Sequence, residues 1–195
     1  LFAERAPALA LAAVAAACPE GVGRITHVIA ASCTGLLAPG LETLLTQALR
    51  LPAMTVRTGI HFQGCHAGIT ALRAAWDIVR GQDDARVLVV CCELSSLHLQ
   101  PGPRDEDLIA ACLFADGAAA AVVEGGARAR GLRVHAHVNA LVPDSGHEMA
   151  WTVGDVGFHL TLSPYLTRAL AADLGDVVAR LAGGDDPRAL RWLVH

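Results

Sequence analysis

Three apolar runs, separated by stretches of helical composition, constrain the fold of this chain most strongly. The runs cover residues 25–32, 54–62 and 86–94 and are rich in β-branched side chains. Residues 41–49 repeat apolar side chains at the i, i+3 and i+4 spacing of a helix, and residues 67–80 have helical composition. Strands that are joined through helices pair in parallel. The sequence therefore predicts an α/β fold around a parallel sheet.

The best internal boundary of the chain is at Gly125 and Gly126, and it separates residues 1–125 from residues 126–195. Pro7 is expected in the first turn of an N-terminal helix, and Pro101–Pro103 in a loop. Helices are predicted over residues 7–18, 105–113 and 164–181, and strands over 116–124, 132–142, 154–162 and 190–195. In residues 132–142, His135, His137 and Asn139 alternate with apolar residues, so this strand is predicted to be half exposed.

Cys65 lies where the second predicted strand becomes a helix. Backbone N–H groups in the first turn of that helix, and the positive end of its dipole, are expected to favour the thiolate over the thiol. The helix is apolar on nearly all sides, so it is predicted to be buried and to hold Cys65 firmly. Cys65 is therefore a candidate nucleophile. The alternative is that it is a small buried hydrophobe, as free cysteines often are.

His195 is the second candidate, because it ends a predicted hydrophobic strand at the carboxyl side of the sheet, where catalytic groups gather. A metal site at His61, Cys65 and His66 is disfavoured. Adjacent residues that enter a helix point in different directions, and no second pair follows at a structural zinc spacing. No metal is predicted.

Composition excludes several classes of function. With 53% hydrophobic and 17% charged residues, the chain can bury a large core and is not disordered. The net charge of −4 and the lack of a basic run argue against nucleic acid as a partner. All 15 basic residues are arginine, so no lysine in the chain can form a Schiff base.

Cysteine usage and hydropathy point to the cytoplasm. The six cysteines lie in apolar runs without a disulfide framework, as expected for reduced thiols. The Ala-rich opening lacks a basic leader and is predicted to be a helix rather than a signal peptide. No stretch is long enough to span a bilayer.

With these segments in view, the chain resembles the type III polyketide synthases, the chalcone-synthase-like members of the thiolase superfamily. The matching segments are ITHV at 25–28, TGLLAPG at 34–40, QGCHAG at 63–68, ARVLVVCCE at 85–93, LFADGAAA at 113–120, GFHL at 157–160 and WLVH at 192–195. They occur in the family's order across nearly the whole chain. SSLHLQ at 95–100 and MAWTVGD at 149–155 are more similar to bacterial alkylresorcinol and alkylpyrone synthases.

The resemblance implies a layered thiolase-like fold, with residues 1–125 in its N-terminal half and 126–195 beginning its C-terminal half. It implies decarboxylative condensation of malonyl-CoA with an acyl-CoA starter, which is expected to be fatty, without a bound cofactor. Cys65 matches the nucleophile that takes the starter. His195 matches the histidine that holds the thiolate and stabilises the enolate. The implied substrate contacts are Phe114 and Phe158, which match the two gatekeepers, together with Cys33, Thr34, Ala38, Met149 and Trp151.

The resemblance also implies a homodimer around residues 36–40, with a cis peptide bond between Ala38 and Pro39. The family's asparagine lies downstream of its histidine, and its residues for coenzyme A phosphates lie upstream of the matched segments. We therefore expect a piece of such an enzyme that is inactive by itself. Two alternatives stay open: an initiating-type ketoacyl carrier-protein synthase, and a catalytically dead thiolase-fold remnant with a structural or dimerising role.

Overall fold

The computed structural model describes residues 1–100, 102, 104–126, 131–155 and 157–190. Contacts divide the chain into two units. The first comprises Leu1–Leu99 with Ala111–Leu132, and the second comprises Gln100–Ala110 with Arg133–His195. The division after residue 125 into two thiolase-like halves stays a prediction.

The first unit alternates helices and strands in the predicted order. The elements are α1 (Phe2–Ala17), β1 (His27–Ser32), α2 (Leu41–Ala48), β2 (Val56–His61), α3 (Ala67–Gly81), β3 (Arg86–Leu94), α4 (Asp105–Leu113) and β4 (Asp116–Glu124). Of these, α4 begins in the second unit and ends in the first. A short 3₁₀ helix at Ser95–His98 follows β3.

A four-stranded sheet in the order β2-β1-β3-β4 forms the centre of the first unit. β1 pairs in parallel with both β2 and β3, as predicted, whereas β4 runs antiparallel to β3. The predicted parallel arrangement of the first three strands is thereby confirmed, and β4 makes the sheet mixed.

Helices cover both faces of β1, because successive side chains of a strand point to opposite sides of the sheet. Val28 and Ala30 pack in one cluster with residues of α1 and α2, whereas Ile29 and Ala31 pack in a second cluster with α3. Every residue of β1 is buried. This double coverage explains why residues 28–32 are an uninterrupted run of apolar and small residues.

α3 is fully buried along one stripe, partly buried on both sides of it, and exposed on the face that carries Arg73, Asp77 and Arg80, so the prediction of burial is confirmed except on that face. Its buried residues are Ala67, Ala71, Ala75 and Val79, which recur every four residues. Small side chains on this stripe let the helix pack closely on the sheet. The apolar side chain of Ile69 is 56% exposed.

The second unit contains a hairpin and one long helix. β5 (Met149–Gly154) pairs antiparallel with β6 (Gly157–Leu162), and α5 (Leu166–Ala182) follows. The helix ends where predicted, because Gly183 adopts the left-handed conformation with φ of 61°. β5 was not predicted as a separate strand, since residues 149–153 lack a period-two pattern.

The strand predicted over residues 132–142 is absent, although all of these residues are described. Leu132 and Leu141 are almost fully exposed, so no burial of one face stabilises an extended strand here. The prediction that Pro7 lies in the first turn of the N-terminal helix was also wrong. α1 begins at Phe2, so Pro7 lies inside the helix. The strand predicted over residues 190–195 has only its first residue within the described part of the chain.

None of the helices that the structure describes is long and apolar enough to cross a membrane.

Candidate active site

Cys65 lies on a tight turn between β2 and α3, at the carboxyl end of the parallel strands. The turn contains Phe62 with φ of 54° and Gly64 with φ of 79°. A left-handed conformation at a bulky residue such as Phe62 costs roughly 1–3 kcal/mol, so the surrounding structure must hold it. The Ala67 N–H donates to the Gly64 carbonyl at 3.0 Å, which leads the turn into α3. The side chain of Cys65 is exposed, as a nucleophile requires.

Glu93, at the end of β3, holds the loop that follows β1. Both of its carboxylate oxygens accept the Cys33 N–H, at 2.9 and 3.0 Å. The Thr34 hydroxyl donates to the same carboxylate at 2.6 Å, and the Ser32 hydroxyl at 3.4 Å. One half-buried carboxylate therefore receives hydrogen bonds from three consecutive residues.

Thr34 connects this loop to the residues after β3. Its hydroxyl oxygen accepts the Leu94 N–H at 2.8 Å, and its carbonyl contacts the Nε2 atom of His98. On the opposite side, the Cys33 thiol donates to the Gly64 carbonyl at 3.5 Å. The structure thus brings Cys33, Thr34 and the turn that carries Cys65 together around one end of the sheet.

The pKa values of the two thiols contradict the expectation that the helix N-terminus would favour a thiolate. Although Cys65 is exposed, partial desolvation raises the pKa of its thiol, and the charge of Glu93 raises it further; hydrogen bonding from the backbone of Cys65 itself acts in the opposite direction. Burial followed by Glu93 also raises the pKa of Cys33. In this structure, desolvation and a neighbouring carboxylate outweigh the helix terminus.

The other candidate substrate contacts lie on several elements. In the first unit, Ala38 is exposed on the loop between β1 and α2, and the peptide bond before Pro39 is cis, as predicted. Phe114 follows α4 in the sequence, just before β4, and is partly buried. His195 lies outside the described residues, so its predicted position beside Cys65 stays a prediction.

In the second unit, the hairpin places two aromatic candidates against each other. The Trp151 and Phe158 rings meet edge to face, with centroids 5.7 Å apart and an interplanar angle of 73°. The Gln100 side-chain amide donates to the Phe158 carbonyl at 3.2 Å. Met149 lies at the start of the same hairpin and is partly buried. Phe158 is thus held through both its ring and its backbone.

Sequence reasoning missed Glu93 and His98. A signal for Glu93 was available: it is the only charged residue after Arg86 in an otherwise apolar strand. A carboxylate in such a run needs hydrogen-bond donors from another segment. Among the described residues, no group of three or more His, Cys, Asp or Glu side chains is placed to hold a metal ion.

Comparisons with known proteins agree with this arrangement. Residues 2–127 match the family model for chalcone and stilbene synthases, N-terminal domain. The chain is 35% identical over 161 residues to phloroglucinol synthase of Pseudomonas fluorescens, which covers 82% of this chain and 46% of that protein. It is 30% identical over 143 residues to probable polyketide synthase 1 of Dictyostelium discoideum, covering 72% of this chain and 4% of that protein.

Two solved structures have the same fold. The C-terminal type III polyketide synthase domain of Steely1, a type I/III hybrid from Dictyostelium, superposes with a TM-score of 0.88 and 27% identity, covering 93% of this chain and 52% of that one. The 1,3,6,8-tetrahydroxynaphthalene synthase of Streptomyces coelicolor superposes with a TM-score of 0.82 and 30% identity. The match covers 95% of this chain and 53% of that one. The thiolase-like fold predicted from the sequence is confirmed by these neighbours, and the chain spans about half of each.

Proposed function

Because this chain belongs to the chalcone and stilbene synthase family, we propose that the protein is a type III polyketide synthase that extends an acyl-CoA starter with malonyl-CoA. The observation that carries the proposal is the position of Cys65. It is an exposed thiol on a strained turn at the carboxyl end of β2, inside the segment that the family model matches. Both substrates are coenzyme A thioesters, so the reaction needs no bound cofactor.

In the proposed reaction, the Cys65 thiolate attacks the carbonyl carbon of the starter thioester. The carbon–sulfur bond to coenzyme A breaks, coenzyme A leaves as a thiolate, and the acyl group is held on Cys65. Malonyl-CoA then loses carbon dioxide to form an enolate, and the α-carbon of this enolate attacks the carbonyl carbon of the Cys65 thioester. The new carbon–carbon bond releases Cys65 as a thiolate, and the product is a β-ketoacyl-CoA with two more carbons.

The raised pKa of Cys65 requires a group that stabilises the thiolate or accepts the thiol proton during starter loading. We assign this role to His195, which by resemblance also stabilises the enolate. A hydrogen-bond donor aimed at a developing oxyanion contributes about a hundredfold to a thousandfold in rate. Replacing His195 is therefore expected to affect both loading and decarboxylation.

The proposed starter is a fatty acyl-CoA, and the proposed products are alkylresorcinols or alkylpyrones. Residues 95–100 and 149–155 support this choice by their similarity to the bacterial enzymes that make such products. The small side chain of Ala38 leaves room for an alkyl chain on its loop. Phe114, Phe158, Met149 and Trp151 supply apolar walls, and Cys33 and Thr34 are proposed contacts near the nucleophile.

The proposed assembly is a homodimer around residues 36–40 and the free edge of β2. In the described part of the chain, β2 pairs only with β1, and its first four residues are exposed. Leu36 and Phe62, on the loops that flank this edge, are 68% and 51% exposed. An unpaired strand edge with apolar neighbours is a typical protein-interaction surface. Leu36→Asp is expected to shift the protein from dimer to monomer in sedimentation velocity.

The test of function is starter loading followed by peptide mass spectrometry. The protein expressed from its complete reading frame is incubated with a series of acyl-CoA starters, and the acylated cysteine is identified. We expect the adduct on Cys65 and none in Cys65→Ala, whereas Cys112→Ala, which removes another exposed thiol, should load normally. An adduct on Cys33 but not on Cys65 would show that the nucleophile is wrongly assigned.

A further inference from the structure

A carboxylate at the start of β4 holds the segment that follows β3. Asp116 is the first residue of β4 and lies opposite Leu94, the last residue of β3, in their antiparallel pair. Its Oδ1 atom accepts the Ser96 N–H at 2.8 Å, and its Oδ2 atom accepts the Ser96 hydroxyl at 2.7 Å. These hydrogen bonds, that of the backbone first, hold the pKa of Asp116 below its ordinary value. An ionised carboxylate thus binds Ser96 through both of its oxygens.

The segment held in this way is the 3₁₀ helix at Ser95–His98. Helices of this type have poor hydrogen-bond geometry and persist only as short pieces. The described hydrogen bond at its end, from the Leu99 N–H to the Ser96 carbonyl, is long at 3.4 Å, and Leu94 before it provides no side-chain cap. A carboxylate oxygen that accepts an N–H of the first turn stabilises the start of a helix. Asp116 supplies this cap from a different strand, so it fixes the place where the helix begins.

His98 ends the 3₁₀ helix and connects it to the loop after β1. The Nε2 atom of His98 contacts the carbonyl of Thr34, which lies 64 positions earlier in the sequence. A carbonyl oxygen only accepts hydrogen bonds, so Nε2 carries the hydrogen in this contact. The Thr34 hydroxyl oxygen accepts the Leu94 N–H at 2.8 Å, so both its side chain and its carbonyl are held by residues 94–98. Thr34 is only 4% exposed, and a shift of the 3₁₀ helix must therefore move it or break these hydrogen bonds.

The loop that these contacts hold borders the candidate nucleophile. Cys33 directly precedes Thr34, and its thiol donates to the Gly64 carbonyl, next to Cys65, at 3.5 Å. Cys33 and Thr34 are the proposed substrate contacts nearest to the nucleophile. Their position therefore depends on hydrogen bonds that begin at the exposed start of β4.

We propose that Asp116 is a positioning residue for the starter site, acting through the 3₁₀ helix on the loop at residues 33–34. The connection has two steps, each a described contact: Asp116 holds Ser96, and His98 holds the Thr34 carbonyl. It acts on the wall of the site more than on the nucleophile, because the turn that carries Cys65 leads into α3. The effect on starter binding rests on the proposed function, whereas the connection itself rests on the hydrogen bonds alone.

Hydrogen–deuterium exchange on the folded protein tests the connection. Peptides that cover residues 33–41 and 94–100 are compared in the wild type, Asp116→Ala, His98→Ala and the double variant. His98→Ala is expected to accelerate exchange in residues 33–41 about tenfold, and Asp116→Ala about threefold, because its hydrogen bonds are exposed to solvent. The double variant should reach about tenfold and not about thirtyfold, since both substitutions break one connection. Acceleration confined to residues 94–100 in Asp116→Ala, or independent effects in the double variant, would overturn the proposal.

Starter loading separates positioning from a merely structural role. KM for an acyl-CoA starter is expected to rise about tenfold in His98→Ala and about threefold in Asp116→Ala. The kcat of loading should change less than about twofold, because a displaced wall weakens the binding of substrate and transition state alike. Alkylation of Cys65 by iodoacetamide should also stay within about twofold of the wild type. Unchanged KM in both variants would contradict positioning, whereas a wild type that loads no starter contradicts only the proposed function, because exchange still decides the connection.

Matched variants control for the loss of a charge or a ring elsewhere in the chain. Asp83→Ala, on an exposed turn, and His147→Ala, which removes an exposed imidazole, should leave exchange in residues 33–41 unchanged. His98→Gln keeps a side-chain N–H donor and should restore slow exchange and the wild-type KM; failure of this rescue would contradict the hydrogen-bonding role of His98. If Asp116→Ala does not fold, Ser96→Ala removes only the hydroxyl from the connection and is expected to give the same pattern at about twofold.

Discussion

At the scale of single residues, Glu93 has two effects that oppose each other in function. Its carboxylate accepts hydrogen bonds from Cys33 and Thr34 and so orders the loop after β1. The same charge raises the pKa of Cys33 and of Cys65, after the larger effect of burial. Glu93 therefore orders the loop and at the same time disfavours the thiolate form of both cysteines.

Glu93→Gln separates these effects. Removing the charge is expected to lower the pKa of both thiols, so their alkylation by iodoacetamide should begin at lower pH than in the wild type. The lost charge-assisted hydrogen bonds should also lower the free energy of unfolding by about 1–3 kcal/mol. Site-resolved alkylation rates against pH, with urea unfolding, measure both. Glu20→Gln, on an exposed loop, is the control, and an unchanged profile for both thiols would argue against the electrostatic role of Glu93.

At the scale of elements, the β5–β6 hairpin presents Trp151 and Phe158 as one aromatic unit. Each ring limits the orientation of the other, because an edge-to-face contact depends on angle as well as distance. Phe158 is a proposed wall of the substrate site, so the orientation of its ring bears on which starters fit. Trp151 is therefore expected to act on starter choice through Phe158.

Trp151→Ala is predicted to broaden the range of starters and to weaken the hairpin. An aromatic pair contributes about 0.5–1.5 kcal/mol beyond the area it buries, so a loss of at least that size is expected in the free energy of unfolding. Trp151→Phe, which keeps a ring, should retain the wild-type starter profile. Competition among acyl-CoA starters of different length, read by mass spectrometry, measures the profile. Identical profiles for all three proteins would exclude this role of Trp151.

α3 depends on its stripe of small residues for close contact with the sheet. Ala71 is fully buried in the cluster that includes Ile29, Ala31 and Val87. Ala71→Leu adds three carbons to this packed interface and should destabilise the protein by about 1–3 kcal/mol or more. Ala16→Leu, on the exposed side of α1, is the matched control and should change stability by less than about 0.5 kcal/mol. Equal unfolding midpoints for the two variants would show that the α3 interface is not tightly packed.

At the scale of the whole molecule, four thiols with raised pKa values make the stability of the folded state depend on pH in the alkaline range. Burial, followed by the charge of Glu93, raises the pKa of Cys92 to about 11, and the thiols of Cys33, Cys65 and Cys91 are shifted in the same direction. The folded state keeps protons that the unfolded state loses as the pH rises above the ordinary thiol pKa. This contribution to stability is therefore complete below that value and is lost as the pH rises through the folded-state pKa.

We expect the free energy of unfolding to fall by about 1–3 kcal/mol between pH 8 and pH 11, since one pKa unit corresponds to about 1.4 kcal/mol. Cys92→Ala should reduce this dependence on pH, even though the substitution lowers stability at neutral pH. Cys112→Ala removes an exposed thiol and should leave the dependence unchanged. Chemical unfolding at a series of pH values measures the slope, and a flat profile in the wild type would contradict the prediction.

The sequence by itself determined the order of elements from β1 to β3, the parallel pairing of these strands, and the place of Cys65 at a strand-to-helix turn. These features follow from composition and periodicity within windows of about ten residues, which suffice to distinguish a strand from a helix. The end of α5 before Gly183 is predicted by an equally local signal, the glycine pair at residues 183 and 184. The resemblance added the family, the thiolase-like fold and the cis bond at Ala38–Pro39, because motifs in a fixed order identify a fold that local patterns leave open.

Only the tertiary structure decided the features that depend on contacts between distant segments. Glu93 accepts a hydrogen bond from Cys33 across 60 positions of sequence, and partial desolvation and that same carboxylate raise the pKa of Cys65. The alternation at residues 132–142 does not make a strand, because a strand forms only where one face is buried or a neighbour supplies hydrogen bonds. Burial and pairing belong to the assembled fold, so a periodic pattern states which structure is possible, and long-range contacts decide whether it forms.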